Sequence, residues 1–488
     1  MKNRCKSAAA FFLWAASWSY SFQDNVVQLI ADSNYTQKSV GVVVWEVGTC
    51  STLVSINADT FFNPASVMKC ITAAAAFELL GMRYCFKTAV YTDGPLRRDS
   101  GIVTGNLYIR GGGDPGFLAE RLWLFVQHLT HCGIKKITGD LVLDDSFFDA
   151  QVDGPGFGED VSSRAYEAPV AALSANFNTI AIHVAPGAEA GMPVVVTPFP
   201  QIRGVKIICT AKTVPAGTPS NLEIKTDRVD GRTAIAVYGS MSLNEKGKYK
   251  YRKVWSTWEN FGWAMLALFE QSGIEFNGAV KHAAIPDSLK TGEPFYTFES
   301  RPLPEFVFNM FKYSSNFAAE MVFKTIAAEN DSLPGAWENG ARIVGGWWRN
   351  GRILESGRNT CPVIQNGSGM GGGNRVTPQQ IAALLNHVWK QKSYFPEFLS
   401  SLSTAGIDGT LETRFTGSCL KGIVRAKTGT LNDRGVSNLA GYVLLKDRWY
   451  VFVILVTNTK KSQFSHWTLQ QKILETVFAE KVKKKGRR

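Results

Sequence analysis

Apolar β-type runs near both ends of the chain constrain its fold more than any other feature. Val42 to Val47 and Thr52 to Ile56 flank the turn Gly48-Thr49-Cys50-Ser51, a pattern that predicts a hairpin. Leu439 to Leu445 and Trp449 to Thr457 flank a Lys-Asp turn and predict a second one. An amphipathic stretch from His466 to Val482 predicts a terminal helix. The expected fold is therefore an α/β (α+β) domain, a sheet flanked by helices and closed by N- and C-terminal segments.

Helical pieces fall between these runs. Asn63-Pro64-Ala65-Ser66 precedes an alanine-rich apolar stretch that stops at Gly81, which predicts a helix with Ser66 at its start. Pro304 to Phe311 and Phe317 to Ala328 also read as helices, separated by the polar break Tyr313-Ser314-Ser315-Asn316. Ile423 to Leu431 reads as a strand through Lys427-Thr428-Gly429.

At 488 residues the chain exceeds one ordinary core. Two similar pieces, each an apolar helix ending before a strand at Gly133-Ile134 and at Gly273-Ile274, read as outgoing and returning legs of an insertion. The expected division is a catalytic domain of 22–92 and 296–488, an inserted domain of 93–165 and 235–295, and a nested β-rich domain of 166–234.

Hydrophobic residues make up 45% and charged residues 19%, the balance of a folded protein. The net charge of +12 owes half its excess to the eight residues from Lys481 to Arg488. That tail reads as a solvated end with weak attraction to a membrane or cell-wall surface. No basic face is interleaved with aromatics, so nucleic acid is not an expected partner. The eight cysteines and six histidines are scattered without CxxC or HExxH, so no metal site and no cofactor are expected. Residues 1–21 combine Lys2, Arg4 and Lys6 with a short apolar run and small residues, the pattern of a secretory signal peptide. The mature protein is accordingly expected in the periplasm or another extracytoplasmic space.

Three short motifs carry chemistry: S-x-x-K, S-x-N and K-T-G. S-x-x-K occurs at Ser66–Lys69 and Ser418–Lys421, and K-T-G at Lys290 and Lys427. S-x-N begins at Ser55, Ser174, Ser242 and Ser314. A nucleophile needs a base beside it and backbone N–H groups facing the oxyanion. Ser66 opens a helix, and Lys69 lies one turn along the same face, whereas a glycine and a β-type run follow Ser418. Ser314 and Asn316 sit in a break where side chains can enter a cleft. The other S-x-N copies read as ordinary strand and turn sequence. Lys427 lies on a strand, and the copy at Lys290 reads as a loop.

The selected motifs occur in order on the expected elements. With Gly112-Gly113-Asp114-Pro115, Gly367-Ser368-Gly369 and Ala405 to Leu411, they make the chain resemble the low-molecular-mass class C penicillin-binding proteins. These are D-alanyl-D-alanine carboxypeptidase/endopeptidases with inserted domains, whose catalytic domain has a β-lactamase-like antiparallel sheet. The resemblance implies acylation of Ser66, with Lys69 as base, Ser314 and Asn316 as relay and positioning pair, and Lys427 as carboxylate anchor. Thr428, Gly429 and Thr430 would align the substrate, the Thr430 N–H completing the oxyanion hole. Asp144, Phe148 and Asn432 match positions that grip a diaminopimelate side chain. The implied partners are peptidoglycan pentapeptide stems and cross-links, and β-lactam antibiotics.

The match departs in one loop. Asn366-Gly-Ser-Gly-Met-Gly-Gly stands where the family usually has Asp-Gly-Ser-Gly-Leu-Ser-Arg. The arginine that would hold a side-chain carboxylate is thus Gly372, and Arg375 is the replacement close by. A β-lactamase, disfavoured by the long insertion, and a silent penicillin-binding scaffold, disfavoured by the intact motifs, are the competing readings.

Overall fold

The valine-rich run near the N-terminus forms β1 (Val40–Glu46), buried along nearly its whole length, as a strand covered on both faces requires. A computed structural model describes residues 22–49, 51–157, 162–199, 205–229, 232–331, 334–351, 353 and 361–483. The signal-like segment 1–21, Cys50 and the end of the basic tail lie outside these residues. The chain divides into two units, one holding the described residues of Met1–Met82, Leu303–Ala319 and Gly340–Arg488, the other those of Arg83–Pro302 and Glu320–Asn339.

In the first unit β1 joins β2 (Ser51–Ile56), β3 (Ser403–Thr404), β4 (Val424–Leu431), β5 (Val436–Leu445) and β6 (Arg448–Val456). The sheet order is β3-β4-β5-β6-β1-β2, antiparallel at every step. Both expected hairpins are present, and they meet through β6 and β1, with Val43 opposite Val453.

The helices of this unit include α1 (22–32), α2 (Met68–Leu79), α3 (Leu303–Lys312), the start of α4 (Asn316–Asn330), of which 316–319 belong here, α5 (Pro378–Lys390) and α6 (Gln463–Lys483). One apolar cluster joins Val26 and Ile30 of α1 and Leu469, Ile473 and Val477 of α6 to Val42, Val44, Leu439 and Ile454 of the sheet. Side chains alternate across a strand, so the opposite face is free to receive α5, which packs on β1 and β6. The turn Ala65–Val67 and β4 meet on that side too. The first unit is thus an antiparallel sheet between helical layers, the expected α+β class.

The second unit has a five-stranded sheet in the order Val280–His282, Leu141–Asp144, Leu107–Arg110, Cys85–Thr92, Tyr296–Pro302. Its helices Ala119–His131 and Thr257–Gln271 contribute Leu122, Phe125, Phe261 and Phe269 to one core cluster. The short strands after Gly133-Ile134 and Gly273-Ile274 pair in parallel, Lys136 opposite Glu275, so the two similar pieces lie side by side. A separate cluster, including Ile180, Ile182, Ile224, Ile235 and Val254, lies among the strands from Thr179 to Lys253. The boundary read at 234 falls inside the strand Arg232–Ser242.

Two local expectations differ. Ser66 lies in the 3-10 turn Ala65–Val67, two residues ahead of α2, and follows Ala65 at the positive φ of 44°. Lys290 ends a one-turn helix, Asp287–Lys290, where a loop was expected; its ammonium pairs with Asp287 at 3.0 Å.

Candidate active site

The turn that presents Ser66 is fixed by one asparagine. The Ala65 N–H donates to Asn63 Oδ1 at 2.9 Å, and Asn63 Nδ2 donates to the Gly371 carbonyl at 3.0 Å. Asn438 Nδ2, on β5, donates to the Asn63 carbonyl at 2.9 Å. A non-glycine residue at positive φ persists only where its surroundings over-determine it, and these bonds do so for Ala65. Ala65 and Val67 are buried while Ser66 is partly exposed, so the hydroxyl alone is offered to solvent.

Lys69 is fully buried. Its Nζ lies 2.8 Å from Ser66 Oγ, 2.8 Å from Asn316 Oδ1 and 2.8 Å from the Ser368 carbonyl. The protonated amine can donate to all three oxygens. In the neutral amine the asparagine and carbonyl oxygens, which accept only, hold the two remaining N–H bonds. The lone pair is then aimed at Ser66 Oγ. The site thus points the Lys69 amine at Ser66 Oγ by fixing what surrounds it.

Ser314 stands in the break before α4 with a φ of 55°, while Asn316 is the first residue of α4. Lys427, also fully buried, donates to Ser314 Oγ at 2.8 Å and to the Thr428 carbonyl at 2.8 Å. Burial pulls the Lys427 ammonium down to about 8, against an upward pull from nearby Cys70. Cys70, in turn, is pushed up to about 12 by burial. Ser314 accepts from Lys427 and keeps its own proton to donate onward.

Beside them runs β4. Its pairing with β3 covers Arg425 and Ala426 and stops before Lys427, leaving Lys427 to Leu431 as an edge that an extended peptide can extend. Thr428 Oγ1 donates to Thr410 Oγ1 at 2.8 Å. A Cβ on Gly429 would stand 2.8 Å from the Pro64 carbonyl and 3.1 Å from the Ser66 nitrogen, so only glycine leaves that amide unobstructed. Thr430 pairs opposite Ser437, and Asn432 is exposed in the 3-10 turn Asn432–Arg434.

The departing loop closes over Lys69. Asn366 Oδ1 accepts from the Gly369 N–H at 2.9 Å and from Asn374 Nδ2 at 2.9 Å, and Asn366 Nδ2 donates to the Met370 carbonyl at 3.0 Å. Gly369 has a φ of 83°, and a Cβ there would sit 1.8 Å from the Ala65 carbonyl, so no other residue lets the loop pass this close.

Side-chain hydrogen bonds thus join Ser66, Lys69 and Asn316 in one group and Ser314 and Lys427 in another, all within one unit, with Thr428, Gly429 and Thr430 following Lys427 on its strand. Asp144 and Phe148 belong to the second unit and are buried there. Asp144 accepts from the Ser146 and Ile285 N–H groups and lies 4.0 Å from Arg110, and Phe148 lies 5.2 Å from the Lys324 ammonium. The rejected Ser418 donates its hydroxyl to Glu475 at 2.5 Å. Asn63, Ser368 and Asn438 hold the site without any assigned role in the sequence reading. Asn63, an asparagine just before proline, carried a signal of turn chemistry; the Ser368 carbonyl carried none, because a backbone acceptor has no side-chain signature.

The chain is similar to known proteins along most of its length. A profile described as the D-Ala-D-Ala carboxypeptidase 3 (S13) family matches residues 22–476. The D-alanyl-D-alanine carboxypeptidase of Actinomadura sp. (strain R39) is 32% identical over 420 residues, 83% of this chain and 74% of that one. The D-alanyl-D-alanine carboxypeptidase DacB of Haemophilus influenzae is 28% identical over 449 residues, 90% of this chain and 89% of that one. The crystal structure of penicillin-binding protein 4 (dacB) from Haemophilus influenzae superposes with a TM-score of 0.79 at 25% identity, covering 93% of this chain and 99% of the other.

Proposed function

The chain belongs to the D-Ala-D-Ala carboxypeptidase 3 (S13) family, and on that premise we propose that it is a serine-type D-Ala-D-Ala carboxypeptidase and endopeptidase. It acts on peptidoglycan peptides through an acyl-enzyme on Ser66, and penicillin traps the same serine. The observation that carries the reading is the Lys69 amine, 2.8 Å from Ser66 Oγ and held by two further acceptors.

In this reading Ser66 Oγ attacks the carbonyl of the penultimate D-alanine while Lys69 takes its proton. The Ser66 and Thr430 N–H groups face the oxygen where negative charge develops. Ser314 donates a proton to the departing amine, drawing on its bond from Lys427. The Lys427 ammonium and the Thr428 hydroxyl meet the terminal carboxylate, and Asn316 positions the substrate amide. Collapse expels D-alanine, or the acceptor strand of a cross-link, and leaves the donor peptide as an ester on Ser66. Water then attacks that ester as Lys69 accepts its proton, and Ser66 is regenerated.

The inserted part is read as two domains of this enzyme, supported by two separate apolar clusters, with the nested one reaching past 234 to Val254. An extracytoplasmic location follows from the substrate and from the signal-like residues 1–21. Among the described residues no helix is long and apolar enough to cross a membrane.

Mass spectrometry of the protein incubated with muropeptides and with penicillin tests the proposal. Release of D-alanine and a persistent penicillin adduct on Ser66 are expected, both lost in Ser66→Ala. Rapid penicillin turnover would indicate a β-lactamase instead, and an adduct on another residue would overturn the assignment.

A further inference from the structure

The nested β-rich part turns a row of aromatic side chains outward. Its strand Thr179–Ala185 lies between Val195–Phe199 and Lys248–Lys253 and runs antiparallel to both. Ile180, Ile182 and Val184 join the apolar cluster of Ile224, Ile235 and Val237, so Ala181, His183 and Ala185 take the opposite face. The register sets Phe199 and Tyr251 on either side of Ala181, Thr197 and Tyr249 on either side of His183, and Val195 beside Ala185. Val195, Phe199, Tyr249 and Tyr251 are each more than half exposed. Single exposed apolar side chains are ordinary. Four of them in register on one sheet face make a patch of the kind that marks an interaction surface.

The chemistry of the face narrows what it holds. Ala181 and Ala185 floor a trough whose walls, Phe199 and Tyr251, stand on strands about 10 Å apart. The Tyr249 ring leans on His183, with centroids 4.7 Å apart. The tyrosine and histidine rings combine apolar faces with polar edges. A sugar ring has the complementary character, with C–H groups on its faces and hydroxyls around its rim. The three strands contain Lys248, Lys250, Arg252 and Lys253 but no aspartate or glutamate. Lys248 is matched by Glu245 at 3.1 Å, while Lys250 is exposed on the edge strand between the two tyrosines. That balance suits an anionic polymer. An added peptide strand fits less well, because Val195–Phe199 is an edge strand and Pro198 within it offers no N–H.

We propose that this face is a docking surface for the glycan strands of peptidoglycan. Sugar rings stack on Phe199, Tyr249 and Tyr251, and carboxylates of the attached peptide stems meet the Lys250 edge. The inference rests on the proposed peptidase reading, and adds to it a second surface that holds the same polymer by its sugars.

Co-sedimentation with intact sacculi, and with glycan strands freed of their stems by an amidase, tests it. Ser66 is first acylated with penicillin, so that the peptidase site cannot retain stems. Tyr249→Ala/Tyr251→Ala should weaken binding to both materials by about 10-fold or more, the range for loss of aromatic anchors, and Phe199→Ala should act in the same direction. Tyr249→Phe/Tyr251→Phe should keep most of the binding, because stacking uses the ring. Lys250→Glu should weaken binding to sacculi more than to stripped strands. D-alanine release from a soluble pentapeptide should be unchanged in every variant. Equal binding by the parent and the double alanine variant would overturn the proposal, as would a parallel loss on the soluble peptide. A dimeric parent that became monomeric in that variant, with glycan binding unchanged, would assign the face to a second copy and overturn it too. If the parent neither formed the penicillin adduct nor cleaved the soluble peptide, the peptidase reading would fail, while binding of stripped strands would still report on this face.

Discussion

Lys427 Nζ donates to Ser314 Oγ across 2.8 Å, joining residues 113 apart in sequence. The bond couples a buried cation to the hydroxyl proposed above as the proton relay, and the charge of one sets what the other can do. At pH 7 the ammonium is mostly protonated, since burial lowers it only to about 8.

The first prediction concerns pH and activity. As pH rises through about 8, Lys427 loses its proton, and with it the charge that faces a terminal carboxylate. The kcat/KM for D-alanine release should fall above about pH 8, chiefly through KM. A pH profile with the amidated C-terminus as comparison checks this, because a substrate without that carboxylate should lose less.

The same shift predicts a stability trend. Lys427 is lowered on folding from its ordinary 10.5 to about 8, so the unfolded chain binds more protons between those values. This residue therefore contributes stability that rises with pH from about 8 to about 10.5. Below that window, keeping the ammonium buried costs about 3 kcal/mol. Lys427→Met should be inactive, and between about pH 8 and about pH 10.5 its melting temperature should rise less than that of the parent.

Removal of the base should be severe. Lys69→Ala is expected to slow acylation of Ser66 by about 10²- to 10⁴-fold, the range of a general base. Asn316→Ala should act in the same direction but less strongly, since the Ser368 carbonyl still orients the amine. Second-order rate constants for penicillin adduct formation measure both.

A methyl group at position 429 should block the site without unfolding it. In Gly429→Ala the new Cβ would press on the Pro64 carbonyl at 2.8 Å and on the Ser66 nitrogen at 3.1 Å. Displacing that N–H should cost about 10²- to 10³-fold in acylation, as loss of an oxyanion donor does. Circular dichroism should stay that of the parent.

Glu78, near the end of α2, should matter for stability alone. It accepts from Trp347 Nε1 at 2.7 Å and Tyr394 Oη at 2.6 Å, and pairs with His387 Nε2 at 2.8 Å. Burial works to raise its carboxyl, but the bonds from His387, Tyr394 and Trp347 outweigh it and hold the group below the usual value. Glu78→Ala leaves those donors without their acceptor, and should cost about 2–3 kcal/mol. The parent should lose the contribution of Glu78 as pH falls below the usual carboxylate range, and the variant should lack that acid-sensitive component. Denaturant titrations at pH 7 and at a pH below the usual carboxylate range separate the two.

Local sequence determined the parts of this protein. Continuous apolar β-type runs marked the hairpins of β1–β2 and β5–β6, and the alanine-rich stretch after Ser66 marked α2, because such runs report which segments leave water. Motif order selected Ser66 over Ser418 and Lys427 over Lys290. Only the tertiary structure decided how the parts act on one another. The aim of the Lys69 amine depends on Asn316 and on a backbone carbonyl at Ser368. A hydrogen bond is satisfied by whichever group comes within about 3 Å. Which groups those are follows from the packing of distant segments, and no periodicity along the chain records it.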